Sequence, residues 1–325
     1  MTKPLVLVSS ALSFVLLSGI AAWGEGKIKG YMVGDYYFVA AADKGEKKLP
    51  QNRNAFQFRR IYFTYEKSIS TDFSIRYRLE AKDAGFGKGV KMEPFVKHGY
   101  LKWKNALSGG TLYMGLSGTP TWALAEKVWG YRSIAKTVMD QNKIGSSADL
   151  GVAFKGKAGK VGYHLMLGNG PGQKPEEDHG KKFYGSLSFN ASDRLVFEGY
   201  ADFNMRPAEA NELTIKAFAG LKGDGFNAGV EVFTRTNKKR GGSGVDERIN
   251  GLSAFASLPL GEALRSFARI DALANDLKDT SDFLFIAGLD RQTVKNVHLM
   301  PNIIAALQDD RDPHIQLRLT SYYKF

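Results

Sequence analysis

The last twelve residues of the chain alternate without a break: Ile315, Leu317, Leu319, Ser321, Tyr323 and Phe325 share one face, and His314, Gln316, Arg318, Thr320, Tyr322 and Lys324 the other. A period of two with one apolar and one polar face belongs to a β-strand lying between two solvents. Aromatic residues closing the apolar face suit a membrane-water boundary. Read the same way, the chain from Lys27 to Phe325 holds sixteen such segments, each near the ~10 residues that a tilted membrane strand needs. Examples run from Phe56 to Glu66 and from Asp282 to Asp290. Connections after even-numbered segments are short, as in Lys67 to Asp72 and Gly223-Asp224-Gly225. Most after odd-numbered ones are long, as in Ala41 to Asn54, Asp83 to Glu93 and Asn237 to Arg248. That asymmetry predicts an all-β, antiparallel transmembrane barrel of sixteen strands, with the short turns and both termini on the periplasmic side.

The third segment fixes inside and outside. Phe73, Ile75, Tyr77, Leu79 and Ala81 are expected to face lipid, and Ser74, Arg76, Arg78, Glu80 and Lys82 the lumen. The opposite register would place Arg or Lys in lipid at about 2–4 kcal/mol each near the midplane. The same test turns Glu66, Glu198, Asp202 and Glu231 inward, and yields the candidate pore-lining set Arg60, Arg76, Arg78, Glu80, Lys82, Lys102, Arg235, Arg269, Asp271 and Arg318. Two residues fit badly. Arg59 falls on the lipid face and is expected at the headgroup boundary, and Pro301 inside a strand is expected to sit at a bulge. The plainer reading of the inward charges is a wall of ion pairs such as Arg269 with Asp271 or Arg78 with Glu80. Against it, sixteen strands enclose more space than side chains fill.

One connection differs from the rest. Gly118 to Ser147, between the fifth and sixth strands, interleaves Pro120, Trp122, Trp129 and Tyr131 with Glu126, Lys127, Arg132, Lys136 and Asp140. A loop of this length usually has a role. It is expected to fold inward, pack its rings on the wall, and narrow the pore with Glu126, Lys127, Arg132 and Lys136, the last two opposing Arg76 and Arg78. An external cap or a subunit contact is the alternative.

The N-terminus changes the picture of where the chain works. Residues Leu5 to Ala22 are almost wholly apolar or small, follow Lys3, and end in Ala22-Trp23-Gly24, which predicts a secretory signal over 1–24, cut before Glu25, and a single barrel domain over 25–325. A retained membrane anchor is the alternative. The formal charge of +12 becomes +11 once Lys3 is removed with the signal. Such a balance suits nucleic acid, an anionic membrane surface or a lumen that attracts anions, and export argues against the first. With no cysteine, thiolate sites and disulfides are excluded. His98, His164, His179, His298 and His314 stand singly, without the close pairs of zinc sites. Ser74 and Ser186 offer hydroxyls, but no segment gathers a base and an orienting group around them. Neither metal, cofactor nor catalytic chemistry is expected. Gly168-Asn169-Gly170-Pro171-Gly172 reads as a turn, since Pro175 follows where a phosphate-cradling loop would open a helix.

The pieces FQFRRIYFTYEKSISTDFSIRYRLEAKD, EKVWGYRSIAK, SSADLGVAFKG and GYHLMLGNGPG, and the terminal Phe325, resemble bacterial outer-membrane porins related to the phosphate-selective porin O and P group. The resemblance implies a sixteen-stranded barrel, commonly a homotrimer, in the outer membrane of a Gram-negative bacterium among lipid and lipopolysaccharide, passing small ions and solutes by diffusion. In the phosphate-selective branch it implies a run of arginines and a lysine cluster along the channel. Arg60, Arg76 and Arg78 match part of that run, while Glu66, Glu80, Glu198, Asp202 and Asp271 dilute it and no complete lysine cluster aligns. The expectation is a passive, modestly anion-preferring channel. A specific channel for phosphate, other oxyanions or sugars is the alternative, with Tyr31, Tyr100, Tyr184, Tyr200 and Tyr322 either a sugar track or plain filling of the wall.

Overall fold

The computed structural model describes residues 26–43, 46, 49–83, 89–223, 225–239, 244–309 and 311–325. The leader over 1–24 and its cut before Glu25 lie outside these residues, as do Asp224 and parts of the connections 42–53, 83–92 and 238–246.

Sixteen antiparallel strands close into one barrel, each paired with its neighbours in sequence and the first with the last. They are β1 (Lys27–Ala41), β2 (Asn54–Ser68), β3 (Phe73–Lys82), β4 (Glu93–Leu107), β5 (Gly110–Gly118), β6 (Ala148–Ala158), β7 (Val161–Gly168) and β8 (Lys182–Asn190). There follow β9 (Leu195–Asn204), β10 (Glu212–Lys222), β11 (Asn227–Asn237), β12 (Glu247–Pro259), β13 (Leu264–Asn275), β14 (Thr280–Val294), β15 (Val297–Gln308) and β16 (His314–Lys324). Several run past the alternating stretch, as β2 and β14 do, because ladder hydrogen bonds continue where side-chain periodicity no longer matters. Closure is secured at the chain end, where Gly30 and Phe325 exchange backbone hydrogen bonds at 3.0 Å in each direction. No strand edge is left open, which a lipid environment requires.

Alternation sorts the side chains. On β10, Leu213, Ile215 and Leu221 are exposed while Glu212, Thr214, Lys216 and Phe218 are buried. The buried, mostly polar face lines the barrel interior. Arg59 corrects the strict alternation. The β1–β2 ladder pairs Val33 with Arg60 and then Gly34 with Phe58, so Arg59 is the extra residue of a bulge. A bulge sets two consecutive residues on one side. Both arginines therefore point inward, Arg59 to the Ile134 carbonyl at 2.6 Å and Arg60 to Glu80 at 3.2 Å. A second bulge on β4, where Arg78 faces His98 and Leu79 faces Val96, turns Lys97 inward beside His98. Pro301 also departs from expectation. It pairs with Leu319 in register, and the irregularity on β14–β15 lies at Gln292–Val294 instead. On its other side the β14–β15 ladder has a gap at Leu289 and Asp290, opposite Pro301 and Met300, where proline has no N–H to offer.

Segment 119–147 carries two short helices, α1 (Ala123–Trp129) and α2 (Val138–Gln141). Ala-Leu-Ala-Glu-Lys favours α1, and Gly130 ends it at φ 73, its N–H donating to the Glu126 carbonyl at 3.1 Å. The segment packs on the face of the strands opposite the exposed apolar one. Trp129 lies 5.2 Å from Phe255, and Tyr131 lies 4.4 Å from Phe267, ring centre to ring centre. Trp122, Val138, Met139 and Ile144 form a second cluster with Met166, Tyr184, Tyr200 and Phe233.

Candidate functional site

The charged groups of this lining are distributed unevenly. On β8 to β13 most carboxylates and cations are paired, the buried Glu231 being an exception among the described residues. Lys182 meets Asp202 at 3.0 Å, Lys216 meets Glu198 at 2.7 Å, Arg235 meets Glu212 at 2.8 Å, and Arg269 grips Asp271 with Nη2 at 2.5 Å. Four of these residues or their neighbours also hold segment 119–147. Lys216 donates to the Thr121 carbonyl at 2.8 Å, Arg269 to that of Lys136 at 2.6 Å, Arg235 to that of Lys143 at 3.4 Å, and the Tyr200 and Thr121 hydroxyls meet at 3.0 Å.

The opposite wall is cationic. Beside segment 119–147 a cavity of about 310 Å³ is lined by Arg59, Arg60, Lys82, Arg132, Lys136 and Arg318, with Asp83 and Gln57. Arg132 is held by Glu126 at 2.6 Å and Asp140 at 2.8 Å, and Lys136 shares Asp140 at 2.8 Å. Arg59 forms an ion pair with Asp35 at 2.5 Å without hydrogen-bond alignment. Arg318 leans on Gln316 at 2.9 Å. The basic residues grouped with Arg132 and Lys136 are therefore Arg59, Arg60, Lys82 and Arg318. Arg76 and Arg78, expected there, lie elsewhere. Lys127 on α1 is exposed.

Below it Glu80 collects Arg60, Lys97 at 3.1 Å and the Tyr62 hydroxyl at 2.9 Å. The Arg78–Glu80 pair is thus not made, and Arg78 donates to Thr64 Oγ1 at 2.8 Å instead. At the end bearing the short turns, a cavity of about 470 Å³ is lined by Lys27, Lys29, Glu66, Arg76, His98, Tyr100, Lys102, Tyr113 and Lys155. Glu66 takes Lys29 at 2.5 Å and Arg76. Lys155 Nζ stands 4.6 Å from the Tyr113 ring centre. Among the described residues Arg78, Lys82, Lys102, Lys155 and Arg318 have no carboxylate partner.

Sequence reasoning set Arg59 on the lipid face and passed over Lys97 and Lys155. The first two are hidden by bulges, where strict alternation sends them outward. Lys155 alternates in phase with Asp149 and was legible. The Gly168–Gly172 turn is held by Asp149, which accepts from the Gly170 N–H at 2.8 Å, the Gly172 N–H at 3.2 Å and the Tyr184 hydroxyl at 2.7 Å. A hollow of about 760 Å³ over Ala219, Ala228, Ala254, Ala268 and Ala287 belongs to the apolar outer surface and takes no part in the lining.

No protein-family model and no curated protein sequence matches the chain. Solved structures do. The outer membrane channel DcaP of Acinetobacter baumannii superposes with a TM-score of 0.70 at 10% identity, covering 94% of this chain and 98% of that one. An anion-selective porin from Comamonas acidovorans gives 0.68 at 12%, covering 93% and 99%. Salmonella typhi OmpF, in a complex with daunomycin, gives 0.65 at 12%, covering 92% and 97%. At these identities the likeness is one of fold: a closed antiparallel β-barrel, here of sixteen strands.

Proposed function

We propose that the chain is an outer-membrane porin, a water-filled channel for passive diffusion of small hydrophilic solutes and ions, with a preference for anions. The observation that carries the reading is the division of the lining. One wall sets Lys182, Lys216, Arg235 and Arg269 each against a carboxylate, while the other keeps Arg78, Lys82, Lys102, Lys155 and Arg318 without carboxylate partners among the described residues. Uncompensated cations along a passage raise local anion concentration and lower the barrier to anion entry. Segment 119–147, fastened to β10, β11 and β13 on one side and to Arg59 on the other, serves as the constriction in this reading, with Glu126, Lys127, Arg132 and Lys136 as its charged groups. Screening over roughly 8 to 10 Å at physiological salt keeps the preference modest.

Export by the leader over 1–24, residence in the outer membrane of a Gram-negative bacterium among lipid and lipopolysaccharide, and assembly as a homotrimer complete the proposal, as does kinship with the porin O and P group. Phosphate selectivity is the second reading. Weighing against it, Arg60 and Arg76 spend their charge on Glu80 and Glu66. The deciding experiment is reconstitution of the purified mature chain into planar bilayers with a potassium chloride gradient. The expected zero-current potential shows chloride moving faster than potassium. A silent bilayer overturns the channel, and a cation-favouring potential overturns the selectivity.

A further inference from the structure

An inward row of rings crosses three adjoining strands. Tyr62 of β2 pairs directly with Tyr31 of β1, their ring centres 4.7 Å apart, and Tyr322 of β16 lies 5.5 Å beyond Tyr31. Tyr62 behaves as a wall residue. It is buried and its hydroxyl is taken by Glu80, as a buried tyrosine requires. Tyr31 and Tyr322 do not. Both are partly exposed, and their hydroxyls have no hydrogen-bond partner among the described residues. The Tyr31 ring is tilted by 54° to Tyr62 and by 51° to Tyr322, an arrangement without parallel stacking, and both Tyr31 and Tyr322 keep part of their surface exposed.

Beside the row stands an unmatched positive charge. The Arg78 guanidinium carbon is 5.2 Å from the Tyr62 ring centre, its Nε bonds only the neutral Thr64 hydroxyl, and no carboxylate pairs with it among the described residues. The Arg60 guanidinium carbon lies 5.9 Å from the same Tyr62 ring centre, with its charge met by Glu80. A guanidinium fork matches a carboxylate by two parallel hydrogen bonds, and a tyrosine face matches a flat ring. A sugar would use the rings and leave the charge unmet. A small inorganic oxyanion would use the charge and leave the rings bare.

We propose that the lumen holds planar aryl carboxylates, with the carboxylate on Arg78 and the ring on Tyr31 and Tyr322. This rests on the channel reading and names a solute class for it. The probe is benzoate, compared with cyclohexanecarboxylate, which has the same charge and a puckered saturated ring, and with inorganic phosphate. Block of single-channel current is measured in bilayers, and binding is measured independently of conduction by saturation-transfer NMR in detergent.

Benzoate should half-block at a concentration roughly threefold to tenfold below cyclohexanecarboxylate, the factor that one aromatic pair contributes. Joint replacement Tyr31→Leu and Tyr322→Leu should bring that ratio to near one. Arg78→Gln should weaken both carboxylates while preserving their ratio. Should the double variant fail to assemble, Tyr322→Leu alone should lower the ratio. Equal block by the two acids, a ratio untouched by the tyrosine replacements, or tighter binding of phosphate than benzoate overturns the proposal. Failure of the channel reading is a separate result: no current in any salt, whatever the NMR shows.

Discussion

Lys216 Nζ lies 2.7 Å from Glu198 Oε2 and donates to the Thr121 carbonyl at 2.8 Å, with the lysine side chain wholly buried. One ammonium thus joins β10 to β9 and to segment 119–147. Lys216→Met leaves the Glu198 carboxylate buried without its cation, a loss of about 3–5 kcal/mol. Thermal unfolding in detergent should fall accordingly, and adding Glu198→Gln should restore much of it. A double variant as unstable as the single one would show that the pair is not the source.

Arg59 and Arg269 hold segment 119–147 from opposite walls, through the carbonyls of Ser133 and Ile134 and that of Lys136. Replacing both with Gln should loosen it and admit larger neutral sugars in vesicle-swelling assays. An unchanged size cutoff would remove the segment from its role as constriction.

Arg132→Gln with Lys136→Gln should move the zero-current potential toward cations, and Lys102→Gln with Lys155→Gln should do so from the other end. The second pair carries charges without carboxylate partners among the described residues, so it should have the larger effect per residue. A potential that ignores both pairs places the filter elsewhere.

Burial pushes the Glu126 carboxyl up, and the Arg132 guanidinium at 2.6 Å only partly opposes this. Its folded value exceeds the unfolded one, so the folded chain binds the extra proton and this group adds stability as pH falls through the folded value. The cost of the partly buried charge stands in full above it. As pH drops from neutral, Glu126 should neutralise ahead of exposed carboxylates, leaving Arg132 less compensated, and anion preference should rise. Glu126→Gln should show the acid-form preference at neutral pH and lose that step. A variant whose pH dependence matches the parent's would sink this assignment.

The barrel was legible because alternation is a local property: β3 and β16 each declare their faces within a dozen residues. Bulges are not local. Arg59-Arg60 reads as one residue out and one in, and only the cost of a lipid-facing arginine signals that the period slips there. Lys97 gives the same signal, since Leu101 and Trp103 set a phase that would send it outward. The grip on segment 119–147 was invisible for another reason: its acceptors are main-chain oxygens, which no residue type announces. The inward Phe218, Phe233, Phe255 and Phe267 did leave a trace, because strands apolar on both faces need cover on both.

Those main-chain oxygens have a practical meaning. Thr121, Ser133, Ile134, Lys136 and Lys143 are all grasped by their carbonyls, which any substituted residue except a backbone-distorting one still supplies. If the segment is the constriction proposed above, fastening and filtering fall to different atoms. On that reading the barrel is a socket that accepts exchangeable inserts, and the size and charge of what crosses it should be respecifiable by mutation without rebuilding the mount.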